Sequence, residues 1–152
     1  MSIEVVGSDA DGTSVTLPPE IDVGDVEACF QSILNVARRD RISPDGYDDE
    51  RDPVEGWLRY ASSNSKRSAV YQVWLSRHWL SQCRFTGPID KTQSSYGLKH
   101  QVERFYDFYV SNGAFLIACR MLLGVRVERV SKQSLNGFVN LSRRVRPTKG
   151  TA

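Results

Sequence analysis

Apolar positions recur at helical spacing through the middle of the chain and alternate only near its two ends. Val26, Phe30, Ile33, Leu34 and Ala37 form one stripe of an amphipathic helix. Asp22 or Asp25 supplies its N-cap, because a carboxylate accepts hydrogen bonds from the unpaired N–H groups of a first turn. Arg38, Arg39 and Arg41 stand in its last turn, where cations offset the negative helix end, and the helix is expected to stop near Arg41 or Ile42, before Pro44. A short helix over 54–61 places Trp57, Leu58 and Ala61 together, and the polar run 62–65 breaks it and caps the next. That next helix, from 66 to about 82, has two apolar faces: Val70, Val73, Trp74 and Leu80 on one, Tyr71, Leu75 and Trp79 on the other. A stripe this wide predicts burial on two sides and a central position.

Gly87 and Pro88 open a polar connection. A third long helix is expected over 95–109, with Leu98, Val102, Phe105, Tyr106 and Tyr109 on one face. Ser111 or Asn112 caps a fourth over 113–123, apolar all round except Arg120, with Gly124 just past its end. At the ends of the chain the period changes. Two β-rich runs, 3–7 and 13–17, flank a five-residue turn at 8–12 and predict a hairpin or a loosely ordered arm, closed by Pro18 and Pro19. Residues 125–130 alternate like a strand, and 135–145 fits either helix or strand. The expected fold is therefore mainly α (α+β): a compact four-to-five-helix domain, with a short N-terminal β-hairpin or arm and one strand after the fourth helix. The arm covers 1–20, the single helical domain 21–146, and a flexible basic tail 147–152.

Composition adds little until charge is mapped along the chain. The 152 residues carry a formal charge of +2 and 40% apolar residues, as one soluble domain would. The N-terminus lacks the basic and apolar regions of a secretory signal, and the longest uncharged run, 108–119, is too short to span a bilayer. Three scattered cysteines, Cys29, Cys83 and Cys119, do not make a disulfide framework, so a reducing cytoplasm is expected. The near-neutral total hides an asymmetry, however. Residues 1–55 hold 14 acids against four bases, a net −10, and the remainder holds 16 bases against four acids, a net +12. Such a split points to a nucleic-acid partner, to an acidic partner-binding part, or to two halves that neutralise each other.

The chemistry to match that charge is sparse. Lys91, Thr92, Ser94, Ser95, Lys99 and His100 gather where the third long helix begins. A helix N-terminus presents free N–H groups and a positive dipole end, and lysines and short hydroxyls commonly contact backbone phosphates. An ordinary N-cap at Ser94 or Ser95 with solvated lysines is the plainer alternative. A second basic group lies toward the C-terminus: Arg126, Arg129, Lys132, Arg143, Arg144, Arg146 and Lys149. Aromatics beside cations (Trp74, Trp79 and Phe85 near Arg77 and Arg84, Tyr96 near Lys99) suit stacking on unpaired bases, although Trp74 reads first as core. A helix-turn-helix reading of 95–123 fails on polarity, since the second helix offers base edges little but Arg120. Only Ser95, Lys99, His100, Glu103 and Arg104 on the earlier helix would be left to read them.

Catalysis and metal binding have thin support. His78 and Cys83 are five apart and do not face each other on one helix. His100 and Glu103 could share a face but lack the repeated partners of a helical di-metal site. There is no phosphate-binding glycine loop and no nucleophile elbow. The expectation is a small non-enzymatic nucleic-acid-binding protein, regulatory in role, that needs no cofactor or metal and meets DNA or RNA through backbone phosphates. The residues expected at that surface are Arg77, Arg84, Lys91, Thr92, Ser94, Ser95, Lys99, His100, Arg104, Arg126, Arg129, Arg143, Arg144 and Arg146. An acidic loop over 43–55, the best candidate for a mobile segment, would cover it in the free state. The alternative is a protein-binding adaptor or inhibitor that uses Asp45, Asp48, Asp49, Glu50 and Asp52, including by imitation of DNA phosphates. A third is head-to-tail self-association of acidic and basic faces.

Overall fold

The computed structural model describes residues 3–5, 15–17 and 23–148. Strands β1 (Ile3–Val5) and β2 (Val15–Leu17) pair antiparallel with Glu4 opposite Thr16, so the first two β-rich runs do form a hairpin. The expected turn at 8–12, the stop at Pro18 and Pro19, the alternative cap Asp22 and the basic residue Lys149 lie outside the described residues.

Helix α1 (Val26–Asp40) begins at Asp25, whose Oδ1 accepts from the N–H groups of Glu27 and Ala28. It ends at Arg41, whose φ of 60° is left-handed. The next segment departs from expectation. Within the expected acidic loop, β3 (Ile42–Ser43) and β4 (Gly46–Tyr47) form a tight hairpin with Ser43, Pro44 and Gly46 buried. The reason is backbone contact: the Gly113 N–H donates to the Pro44 carbonyl at 2.9 Å, and a Cβ on Gly113 would lie 1.8 Å from the Ser43 carbonyl oxygen. The acidic turn that follows is also tied down, since Asp48 Oδ1 accepts from the N–H groups of Glu50 and Arg51.

Asp52 caps α2 (Pro53–Asn64), with Pro53 in the first turn, where its missing N–H costs nothing. The helix runs on through most of the polar run expected to end it, and Ser65 then caps α3 (Lys66–Ser81) by accepting from the Ser68 N–H. Both apolar faces of α3 are covered: Val70, Tyr71, Val73, Leu75, Trp79 and Leu80 are fully buried, and only Trp74 is half-exposed. This is the central helix that its two stripes predicted.

The largest departure follows. The polar connection after Gly87 and Pro88 is a strand, β5 (Phe85–Ser94). It is the edge of a three-stranded antiparallel sheet completed, after α4 (Ser95–Tyr106) and α5 (Asn112–Met121), by β6 (Val127–Arg129) and β7 (Gly137–Leu141), with β7 in the middle. An edge position tolerates the proline. Phe85 stands opposite Leu141 and Asp90 opposite Val139, so five steps along β5 match two along β7, and the strand bulges outward between them. The ambiguity over 135–145 thus resolves as strand. Helix α4 stops three residues early because Asp107 turns left-handed at φ 56°, and α5 stops at Met121, before the expected Leu123.

The core fills the space between α3, α5 and their neighbours, with Phe115, Leu116 and Ile117 of α5 fully buried and Val139 and Leu141 closing it from the sheet. Among the described residues no helix is long and apolar enough to cross a membrane.

Candidate nucleic-acid interface

The start of α4 collects hydroxyls and lysines of the strongest local motif, but it buries Ser95 and Lys99. Ser94 is the N-cap residue and makes no side-chain capping bond. Ser95 is buried; its hydroxyl donates to Asn112 Oδ1 at 2.8 Å and accepts from the Gly137 N–H at 3.1 Å. The Asn112 amide donates in turn toward the carbonyls of Asp45 and Leu135 and to Asn136 Oδ1, at 3.0–3.1 Å. This side chain therefore joins α4, α5, the β3–β4 hairpin and the approach to β7.

Lys99, expected at the phosphate-contacting surface one turn in, is only 5% exposed. Its Nζ lies 2.5 Å from Glu103 Oε1 and sits over the rings of Tyr96 and Tyr109, 5.2 and 4.9 Å from their centroids. His100 Nδ1 is 3.6 Å from the other oxygen of Glu103, and its ring stands edge-on to Tyr96. Lys91 and Thr92 belong to β5 and not to the approach of a helix. Lys91 faces Glu128 at 3.5 Å, and the Thr92 hydroxyl and N–H both donate to Asp90 Oδ1.

The basic residues around the end of β7 divide into two sets. Arg146 is inside: its guanidinium donates to Gln93 Oε1 at 2.7 Å and to the Ser142 carbonyl at 2.9 Å, and reaches Asp90 Oδ2 at 3.4 Å. Burial draws its pKa down against the raising effect of Asp90. For Asp90, burial pushes the carboxyl up, but the Thr92 hydrogen bonds and the guanidiniums of Arg143 and Arg146 together hold it below the usual carboxylate value. Residues 143–148 are laid beside the start of β5. Arg84 exchanges backbone hydrogen bonds with Ser142 and Val145, and the Trp79 indole N–H donates to the Pro147 carbonyl.

Arg84, Arg126, Arg143 and Arg144 form the second set, and all four are exposed. Arg84 precedes β5, Arg126 precedes β6 and Arg143 and Arg144 follow β7. Antiparallel pairing brings the starts of β5 and β6 to the end of β7, so the four stand at one end of the sheet. Among the described residues the guanidiniums of Arg84, Arg126 and Arg144 have no ion-pair partner, and Arg143 has Asp90 at 3.5 Å. Beside them, at the β5 bulge, an open groove of about 500 Å³ is lined by Thr86, Pro88, Ile89, Leu141 and Arg143 among others.

The remaining candidates stand on other elements. Arg77 stacks over the Trp74 ring at 4.2 Å on α3, and Arg104 is exposed in the last turn of α4. Arg129, at the opposite end of β6, pairs with Asp49 at 2.5 Å, donates to the Ser134 carbonyl and covers the Tyr47 ring. That contact is where the acidic turn meets the basic part. Asp45, Asp48 and Asp52 line a separate polar cleft of about 520 Å³ between the β3–β4 hairpin and α2, with Glu55 paired to Arg59 at its edge. Asp45 is exposed in that cleft, and Asp49 and Glu50 are exposed in a neighbouring one lined also by Arg129 and Lys132.

Burial pushes the Cys83 thiol up to about 12, and Cys83 donates to the Trp79 carbonyl, while His78 Nδ1 bonds the Tyr106 hydroxyl. All three cysteines are free thiols. Among the described residues no three His, Cys, Asp or Glu side chains are arranged to hold a metal ion.

No protein-family model, curated protein or solved structure matches this chain. Sequence reasoning did not foresee the roles of Asn112 and Tyr109, which depend on contacts far apart in the chain. Only the i, i+4 spacing of Lys99 and Glu103 carried a local signal that the lysine would be paired.

Proposed function

We propose that this protein binds the phosphate backbone of nucleic acid through the basic end of its sheet. One observation carries the reading: Arg84, Arg126, Arg143 and Arg144 converge from separate parts of the chain, exposed, with one carboxylate among them. Exposed arginines gathered at one end of a sheet with few counter-charges repel each other, and polyanion binding relieves that repulsion while releasing condensed counterions. Guanidinium groups also fit phosphate oxygens bidentately. In this reading the chain is a binding protein and not an enzyme. The acidic turn does not cover the arginines in this reading, a view supported by the Asp49–Arg129 pair at the other end of β6.

The adaptor or inhibitor reading is weaker, because several acidic side chains hold the fold. Asp48 caps its own turn, Asp52 caps α2 and Asp49 is paired with Arg129. Fluorescence anisotropy with labelled DNA and RNA across a salt series tests the proposal. The expected slope of log affinity against log salt is about −3, from four arginines at roughly 0.7–0.9 each. No binding at low salt would overturn it.

A further inference from the structure

We infer that the basic end takes single-stranded polynucleotide, with one unstacked base seated in the groove at the β5 bulge; this rests on the phosphate-binding reading above. The groove differs from the rest of the cationic surface in its lining. Pro88, Ile89 and Leu141 give it an apolar floor, and Arg143 and Arg144 stand along it. It lies where β5 carries extra residues between Phe85 and Asp90, which takes Thr86 to Ile89 off the regular ladder. At about 500 Å³ the groove is in the range that holds a small organic group.

Asp90, the one acid in the lining, does not oppose a polyanion here. Its carboxylate already accepts from Thr92 and faces Arg143 and Arg146. A duplex keeps its bases stacked inside and would touch the arginines alone, leaving Ile89 and Pro88 in water. An unpaired strand has both parts to offer. Its phosphates meet the guanidiniums, and a base face lies on the apolar floor or against an arginine plane. Any base has such a face, so the preference is for single-strandedness and not for sequence.

The test uses the full chain and three labelled ligands of equal length: an oligothymidylate, the same backbone made abasic, and a duplex. At one salt concentration the oligothymidylate is expected to bind roughly tenfold more tightly than either of the others, the scale of one stacked base. Ile89→Ser should reduce that advantage and leave the salt slope unchanged. Equal affinity for oligothymidylate, abasic strand and duplex would overturn the inference while leaving the phosphate reading intact. Failure of all three to bind would overturn both.

Discussion

The start of α4 and the basic end of the sheet carry similar cationic chemistry and have opposite fates. At α4 the lysine is buried between two tyrosines and paired with Glu103, and the serine hydroxyl joins Asn112 to β7. At the sheet end four arginines stand in water with one carboxylate nearby. The difference comes from where the chain returns. Helix α5 and the β3–β4 hairpin close over the first region, whereas strand ends leave the second open. A helix N-terminus rich in Ser and Lys is therefore a binding site only if nothing in the fold has already taken its donors.

The largest effect is expected from breaking the closed region. Gly113→Ala forces a Cβ against the Ser43 carbonyl oxygen and the Pro44 backbone, so stability should fall by about 4 kcal/mol or more, read from urea denaturation. A loss below about 1 kcal/mol would mean that the hairpin shifts freely and the region is not closed. Lys99→Met should cost about 2 kcal/mol by leaving Glu103, itself 22% exposed, without its partner. Adding Glu103→Leu should restore most of that loss, and neither variant should change nucleic-acid affinity. A matching drop in affinity would put phosphate binding back at α4.

Acid should loosen the frame of the open region. Asp90 has a folded pKa below its unfolded value, so its stabilising contribution is fully present above about pH 4 and is lost as pH falls through the folded value. Asp90→Asn should flatten that part of the acid limb in urea midpoints measured from neutral pH downward; an unchanged limb would contradict the assignment. The smallest effect concerns the acidic turn. Asp49→Asn frees Arg129 alone and should raise affinity about twofold in anisotropy, the scale of one surface pair. A rise of about tenfold or more would show that the turn screens the whole basic surface.

The helices were legible because their signals are local. Asp25 as cap, the Val26 to Ala37 stripe and the two faces of α3 each lie within one element. Strand β5 was not legible, because Gly87, Pro88 and its polar side chains describe a loop, and only pairing with β7 makes it a strand. The same limit applied to the site. Arg84, Arg126, Arg143 and Arg144 could be counted in the sequence, but their convergence depends on the sheet register. Arg146 could not be told from Arg144 by type, yet Gln93, Asp90 and the Ser142 carbonyl take it out of solvent.

The central claim is that affinity resides at the basic end of the sheet and not at the start of α4. The most direct measurement compares two variants by anisotropy across a salt series: Arg84, Arg126, Arg143 and Arg144 each changed to Gln, and Lys91→Gln with Ser94→Ala and His100→Gln. The first should lose most of its affinity and flatten the salt slope by about 3, with its melting curve retained, while the second stays within about one slope unit of the parent. The reverse ranking, or an undiminished slope in the arginine variant, would contradict the account.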